Sequence, residues 1–142
     1  MKPVSELLKT RPGSVRRVDP DESVFNALQL LAQYEVGALA VMQGEKLVGI
    51  VSERDYTRKV ALKGKSSKET KVAEIMTRNV QTVTPQTTTN ECMALMSQKK
   101  FRHLPVVQGH TVLGMISIRD IMDDIIADQE ETITQLQNYI QS

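Results

Sequence analysis

The sequence predicts an α/β fold of the α+β sandwich type, built from two similar halves. Residues 14–56 align with residues 79–121 at a constant offset of 65, without a gap. Thirteen of the 43 aligned pairs are identical, and many others exchange one aliphatic residue for another. Each copy also shows the same order of patterns: strand, helix, two strands across a tight turn, helix. Two copies of this length do not make a solenoid. We therefore expect one domain with a pseudo-two-fold axis and a cleft between the halves.

Each copy begins with a short amphipathic turn and a brief strand that ends before a proline. The turns span residues 4–8 and 72–76, and the strands span 15–18 and 80–83. Three extra residues around Pro12-Gly13 account for the shift in register between the two turns.

An amphipathic helix follows each strand. In the first copy Val24, Ala27, Leu28 and Leu31 recur with the spacing of one buried helical face. The second copy places Cys92, Met93 and Met96 on the equivalent face, where a thiol is an inert core residue and methionine fills space. Candidate N-caps are Asp21 or Ser23 in the first copy and Thr88 or Thr89 in the second.

Two strands joined by a glycine-containing turn come next, which indicates a hairpin. The pairs are 38–42 with 46–51 and 104–107 with 112–116. Pro105 lacks a backbone N–H, so its strand is expected at a sheet edge or to begin there. Ser52 and Ser117 start the final helices, and the first of these is expected to end near Lys63-Gly64.

Composition excludes several classes of function. The net charge of +1, from 18 basic and 17 acidic residues, gives no electrostatic footprint for nucleic acid. No apolar run is long enough for a membrane span, and residues 1–15 lack the apolar stretch of a signal peptide. Two histidines and one cysteine have no metal-ligand spacing. We expect a soluble, cytoplasmic protein without a metal, a membrane or a nucleic acid partner.

Two matching segments connect the chain to a known family. Gly49-Ile-Val-Ser-Glu-Arg-Asp55 reappears as Gly114-Met-Ile-Ser-Ile-Arg-Asp120, and Arg102-His-Leu-Pro-Val106 precedes the second of them. With the tandem duplication, these segments resemble the cystathionine-β-synthase (CBS) domain family over residues 1 to about 126. The expected divisions are CBS motif 1 at 1–64, CBS motif 2 at 65–126 and a helical extension at 127–142.

The resemblance implies a disc-like module with two clefts that bind an adenine nucleotide such as AMP, ADP, ATP or NAD. It also implies a free-standing sensor that regulates a separate, unidentified protein, with no catalytic residues of its own. Two alternatives stay open: a structural dimerisation domain with empty clefts, and an enzyme acting on adenylates. The second lacks a Ser-His-Asp order, a metal cluster or a Walker-type loop.

The repeated Ser-x-x-Asp at each strand-to-helix junction has two interpretations. It is a capping box, with Ser at the N-cap and Asp three residues later. By resemblance, the same Asp holds a ribose and the Ser lies near ribose or phosphate. The strand starts supply backbone groups and apolar walls for adenine. The predicted ligand-binding residues are Val18, Gly37, Ala38, Leu39, Ser52, Arg54, Asp55, Arg58, Thr82, Val83, Arg102, His103, Leu104, Pro105, Ser117, Arg119 and Asp120.

The basic residues around these motifs differ between the copies. Arg58-Lys59 in the first copy align with Asp123-Asp124 in the second, and Gly37 aligns with Arg102. Because Arg binds phosphate and a carboxylate repels it, the two clefts are expected to differ in phosphate tolerance. The alternative is that the four helical positions are ordinary solvated ones.

The last segment has an apolar stripe without a second copy to cover it. Ile126, Ile133, Leu136 and Ile140 follow near-heptad spacing, interrupted by Gln129. The stripe either packs back on the monomer or contributes to a homodimer, and we expect the homodimer.

Overall fold

The computed structural model describes residues 2–9 and 15–141 and contains mixed helices and short sheets, as the sequence predicts. The extra residues around Pro12-Gly13 lie outside the described part. The first half contains α1 (Val4–Lys9), β1 (Arg17–Val18), α2 (Val24–Tyr34), β2 (Ala38–Gln43), β3 (Lys46–Ser52) and α3 (Glu53–Tyr56), which continues as a π-helix over Thr57–Ala61. The second half contains α4 (Val72–Ile75), α5 (Thr89–Lys99), β4 (His103–Gln108), β5 (Thr111–Ser117) and α6 (Ile118–Gln141).

Equivalent residues begin and end the helices α2 and α5. Ser23 and Thr88, rather than Asp21 or Thr89, are the N-caps, and their hydroxyls accept the backbone N–H of Asn26 and Glu91. Both helices end at a residue with left-handed backbone, Glu35 with φ 54° and Lys100 with φ 59°. These ends direct the chain toward β2 and β4.

The two hairpins are confirmed and share one register, with a bulge after Val41 in the first and after Val106 in the second. Beside them, β1 pairs in parallel with β2, whereas in the second half only an isolated bridge joins Val83 to Val106. Residues 80–83 therefore do not form the expected strand. Pro105 is the reason: its equivalent Ala40 donates its N–H to the carbonyl of Arg16 at 3.0 Å, a bond that a proline cannot make.

The final helix of the first half differs from the expectation in its geometry. It ends near Gly64, as predicted, where φ is 66°. Its second part, however, is a π-helix, in which each backbone hydrogen bond spans five residues instead of four, as between Leu62 N–H and the carbonyl of Thr57. Nothing in the apolar spacing of this segment distinguishes the two.

The halves exchange their first helices. The first core contains Val18, Leu31 and Leu39 from the first half together with Val72 and Ile75 from α4. The second core contains Leu104, Ile116 and Ile121 together with Val4 from α1. Each short helix is therefore buried against the half to which it does not belong in sequence.

Backbone hydrogen bonds fix this exchange in the same way on both sides. Val4 and Ser5 donate to the carbonyls of Thr87 and Pro85, and Thr89 donates to Lys2. The equivalent set joins α4 to the first half: Val72 donates to Glu22, Ala73 to Pro20, and Val24 to Thr70.

One residue of the predicted α5 face lies elsewhere. Cys92 and Met96 are buried, but Met93 is 38% exposed, so the prediction that it belongs to the buried face is wrong. The buried residues of α5, Thr89, Cys92 and Met96, are the equivalents of Val24, Ala27 and Leu31 in α2, and Met93 lies beside this face. Burial raises the pKa of the Cys92 thiol to about 11, consistent with an inert core residue.

Gly49 and Gly114 occupy equivalent hairpin positions with different neighbours. A methyl group at Gly49 would lie 2.8 Å from the carbonyl oxygen of Thr77, whose backbone is held by two hydrogen bonds to Ile50. At Gly114 it would lie 2.8 Å from Leu8 Cδ2, the end of a flexible side chain. We expect Gly49→Ala to lower the free energy of unfolding by about 1–3 kcal/mol. Gly114→Ala is the matched control and should lower the free energy of unfolding, measured by urea denaturation, by less. Equal decreases for the two variants would contradict this prediction.

Candidate functional site

Two clefts lie between the halves. The first cleft, of about 610 Å³, is lined by Ser52, Arg54 and Asp55 from the first half and by Thr77 and the segments 79–81 and 100–103 from the second. The second cleft, of about 930 Å³, contains Ser117, Arg119 and Asp120 from the second half and residues 15–16 and 34–38 from the first. Each Ser-x-x-Asp motif therefore faces the strand starts of the opposite half.

In the first cleft, the carboxylate of Asp55 is held from two sides. Its Oδ2 accepts the backbone N–H and the hydroxyl of Ser52, both at 3.0 Å, which completes the predicted capping box. Its Oδ1 lies 3.1 Å from Lys59 Nζ, which also donates to the carbonyl of Ile75 at 2.8 Å. Lys59 belongs to the π-helical segment, so this segment supplies the counterion of Asp55.

In the second cleft, the Ser and Asp form the same reciprocal backbone bonds, but the residue one turn after the Asp is different. Asp120 Oδ2 accepts the N–H of Ser117 at 2.7 Å, and the Ser117 hydroxyl accepts the N–H of Asp120 at 3.2 Å. The position equivalent to Lys59 is Asp124, which binds Lys2 at 2.9 Å. The second motif thus has a carboxylate one turn after Asp120, where the first motif has an ammonium group.

Four residues line both clefts and form the wall between them: Gly37, Glu53, Arg102 and His103. A methyl group at Gly37 would lie 3.5 Å from His103 Nε2, an ordinary van der Waals contact, so the imidazole lies directly beside the backbone of Gly37. Burial, and then the neighbouring charge of Arg102, lower the pKa of His103. At neutral pH this imidazole is a neutral hydrogen-bonding group and not a cation.

The clefts differ in charge among the described residues that line them. The first is lined by five basic side chains and two acidic ones: Arg54, Arg58, Lys59, Lys100, Arg102, Glu53 and Asp55. The second has three of each: Arg16, Arg102, Arg119, Glu35, Glu53 and Asp120. Asp123 and Asp124 line neither cleft. The predicted asymmetry therefore arises from positive charge at the first cleft and not from aspartates inside the second.

The sequence interpretation missed part of this asymmetry. Glu35 and Lys100 are equivalent under the duplication, end equivalent helices, and carry opposite charges into different clefts. The same comparison that singled out Arg58 and Asp123 contains this signal. Arg16 was also missed; its guanidinium lies 4.0 Å from the ring centroid of Tyr34, and both line the second cleft.

Eleven of the seventeen predicted ligand-binding residues line a cleft. The other six do not: Val18, Leu39, Thr82, Val83, Leu104 and Pro105. Four of these have their side chains in the two cores, Pro105 is buried in β4, and Thr82 is half-buried. Thr82 is therefore not a neighbour of Asp120 in the second cleft.

Among residues 2–9 and 15–141, no group of three or more His, Cys, Asp or Glu side chains could hold a metal ion. None of the helices in this part of the chain combines the length and the apolar character that crossing a membrane requires.

Related sequences share the duplication. The family model for the CBS domain matches residues 4–62 and 72–127. The mitochondrial CBS domain-containing protein CBSX3 of Arabidopsis thaliana is 38% identical over an alignment of 147 residues, gaps included. The alignment covers 97% of this chain and 71% of that protein. CBSCBSPB2 of the same plant is 31% identical over 138 residues; the match covers 94% of this chain but 26% of the longer protein.

Solved structures share the fold. The crystal structure of the CBS domain NE2398 is 47% identical, has a TM-score of 0.83, and the match covers 88% of this chain and 98% of that one. The CBS domain protein PAE2072 of Pyrobaculum aerophilum, solved in complex with AMP, is 24% identical with a TM-score of 0.72, over 83% of this chain and 88% of that one. The two-half architecture, the exchanged helices and these matches lead to one conclusion: the chain belongs to the CBS domain family, and its halves are a tandem pair of CBS domains.

Proposed function

We propose that this chain is a regulatory module that binds an adenine nucleotide in its clefts and thereby changes the activity of a separate protein. CBS-domain proteins are regulatory modules. The observation that carries the proposal is the position of the repeated Ser-x-x-Asp motif. Each copy opens into a cleft between the halves, with an Arg one residue before its Asp.

The residues of each cleft suit the parts of a nucleotide. A carboxylate accepts hydrogen bonds from both ribose hydroxyls, and Asp55 and Asp120 are the carboxylates that the capping boxes hold in place. Arg54 and Arg119 supply guanidinium groups for phosphate. Apolar wall for the base comes from Ile50, Val80 and Phe101 in the first cleft and from Tyr34, Val36, Leu113 and Met115 in the second.

Size and likeness to known proteins also support a nucleotide. Both clefts fall in the range of roughly 300–1,000 Å³ that is usual for small-molecule sites. The AMP complex of the Pyrobaculum protein has the same fold, although its low identity leaves the ligand of this chain as part of the proposal. We further propose that the chain acts as a homodimer. The cytoplasmic location stays a prediction, because CBSX3 is mitochondrial by name.

Isothermal calorimetry with AMP, ADP, ATP and NAD tests the proposal on the wild type and on Asp55→Asn and Asp120→Asn. Asparagine keeps one oxygen that can accept the serine N–H, so the caps are preserved while the charge is lost. We expect each variant to weaken one binding step by roughly 10- to 100-fold, the value of one charge-assisted hydrogen bond. Asp123→Asn, outside both clefts, is the matched control and should leave both steps unchanged.

The possible outcomes separate the function classes. No binding of any of the four nucleotides by the wild type would favour a dimerisation domain with empty clefts. Conversion of a nucleotide to product would favour an enzyme. Binding that is equal in the wild type and in both cleft variants would place the nucleotide outside the clefts and contradict the site assignment.

A further inference from the structure

The C-terminal helix extends beyond the body of the protein. α6 has 24 residues, which corresponds to a length of about 36 Å. Its start packs on the second core through Ile121, which is buried, and Ile125, which is half-buried. From residue 129 to residue 140 every residue is exposed.

Five of the exposed large apolar side chains of α6 form one stripe, while the exposed Ile118 and Tyr139 lie at other heptad positions. Its members are Met122, Ile126, Ile133, Leu136 and Ile140, which are 50–81% exposed. With Gln129, they are separated by four, three, four, three and four residues, the spacing of the a and d positions of a heptad. This spacing is typical of a helix that packs lengthwise against another helix.

The charges of α6 are divided sharply along its length. Residues 120–131 include six acidic residues and no basic one, and residues 132–141 have no charged residue. Lys2 neutralises part of the acidic segment by pairing with Asp124 and Asp128, at 2.9 and 3.2 Å. Two parallel copies of α6 would place acidic segments side by side, which is unfavourable. Two antiparallel copies would place each acidic segment beside an uncharged one.

The spacing of the stripe also matches that of a second copy of α6 that runs in the opposite direction. In an antiparallel pair with its two-fold axis at residue 131, Met122 lies opposite Ile140 of the second copy, and Ile126 lies opposite Leu136. A third layer pairs Gln129 with Ile133. The two-fold axis repeats each of these three layers, and all six join an a position to a d position, as antiparallel helix pairs require.

We propose that α6 pairs with α6 of a second copy of this chain, antiparallel and with the two-fold axis at residue 131. This deepens the homodimer of the proposed function by naming its interface and orientation. Residues 118–120 of α6 line the second cleft, but the segment 121–140 lines neither cleft. The arrangement can therefore be tested separately from nucleotide binding.

Cysteine cross-linking tests the orientation. Ile126→Cys and Leu136→Cys chains are oxidised separately and after mixing, and covalent dimers are counted on denaturing gels. We expect dimers chiefly in the mixture. In the antiparallel pair, two copies of residue 126 are offset by about 15 Å along the axis, too far for a disulfide. The buried native Cys92 makes the wild type the background control.

Sedimentation of the full chain tests the interface without cysteines. The wild type should be a dimer and Ile133→Asp should be a monomer. Thr134→Asp introduces the same charge at a position outside the stripe and should remain a dimer. A monomeric wild type, a dimer that survives Ile133→Asp, or cross-linking of Ile126→Cys with itself but not with Leu136→Cys would each overturn the proposal. Calorimetry of Ile133→Asp with AMP separates the two ideas, since loss of the dimer should leave the clefts intact.

Discussion

Replacing Leu104 with alanine is expected to lower the free energy of unfolding by about 2–5 kcal/mol. Leu104 is fully buried in the second core, where it packs with Val4 of the exchanged helix α1. Because α1 and α4 join each half to the core of the other, the loss should not stay in the second half. We expect both halves to unfold in one transition at lower denaturant concentration.

Two spectroscopic signals can check this cooperativity. The chain has no tryptophan, and two of its three tyrosines, Tyr34 and Tyr56, pack on the first core. Tyrosine fluorescence therefore reports mainly on the first half, while far-ultraviolet circular dichroism reports on the whole chain. The two curves of Leu104→Ala should coincide. Leu62→Ala, at a side chain that is 77% exposed, is the control and should change stability by no more than about 0.5 kcal/mol. A fluorescence curve unchanged from the wild type would mean that the halves unfold independently.

Reversing the charge of Arg58 is expected to weaken binding at the first cleft by roughly 10- to 100-fold for ATP, and much less for adenosine. The first cleft has an excess of basic side chains, and Arg58 is one of those without a counterpart in the second cleft. Arg58→Asp replaces attraction for a phosphate by repulsion, whereas adenosine has no phosphate.

A matched variant distinguishes the local effect from that of overall charge. Lys63→Asp changes the net charge by the same amount but lies outside both clefts. Calorimetry should show only a small decrease in ATP affinity for Lys63→Asp. The larger decrease for Arg58→Asp should diminish as added salt shortens the Debye length below about 8–10 Å. An equal loss of ATP and adenosine affinity would mean that Arg58 serves folding instead.

Local features were predictable from the sequence wherever the residue itself determines the backbone. Ser23 and Thr88 cap helices, and Pro105 restricts its strand, because these side chains act on the nearest peptide groups. Apolar spacing likewise indicated which face of α2 is buried. The spacing does not say which core covers that face, so the exchange of α1 and α4 could not be predicted.

The candidate site follows the same division. Ser52, Asp55 and their equivalents were placed correctly at the strand-to-helix junctions because each capping box is a local structure. Which strand starts face each motif depends on how the halves pack. For this reason Thr82 was predicted to bind the ligand but lines neither cleft, and the cleft of Asp120 is completed by residues 34–38 of the first half.

The exchanged helices have a consequence for how such a chain could arise. A chain with a single unit would keep its first helix without a core to enter, and its core would lack the helix that closes it. Two such chains would satisfy each other by trading helices, as Val4 and Val72 do here, each fully buried in the opposite half. Joining two such units in one chain then adds only a covalent link between units that already complete each other's cores. The tandem chain thus has the arrangement of a domain-swapped dimer joined into one chain, and its pseudo-two-fold axis corresponds to the symmetry axis of such a dimer.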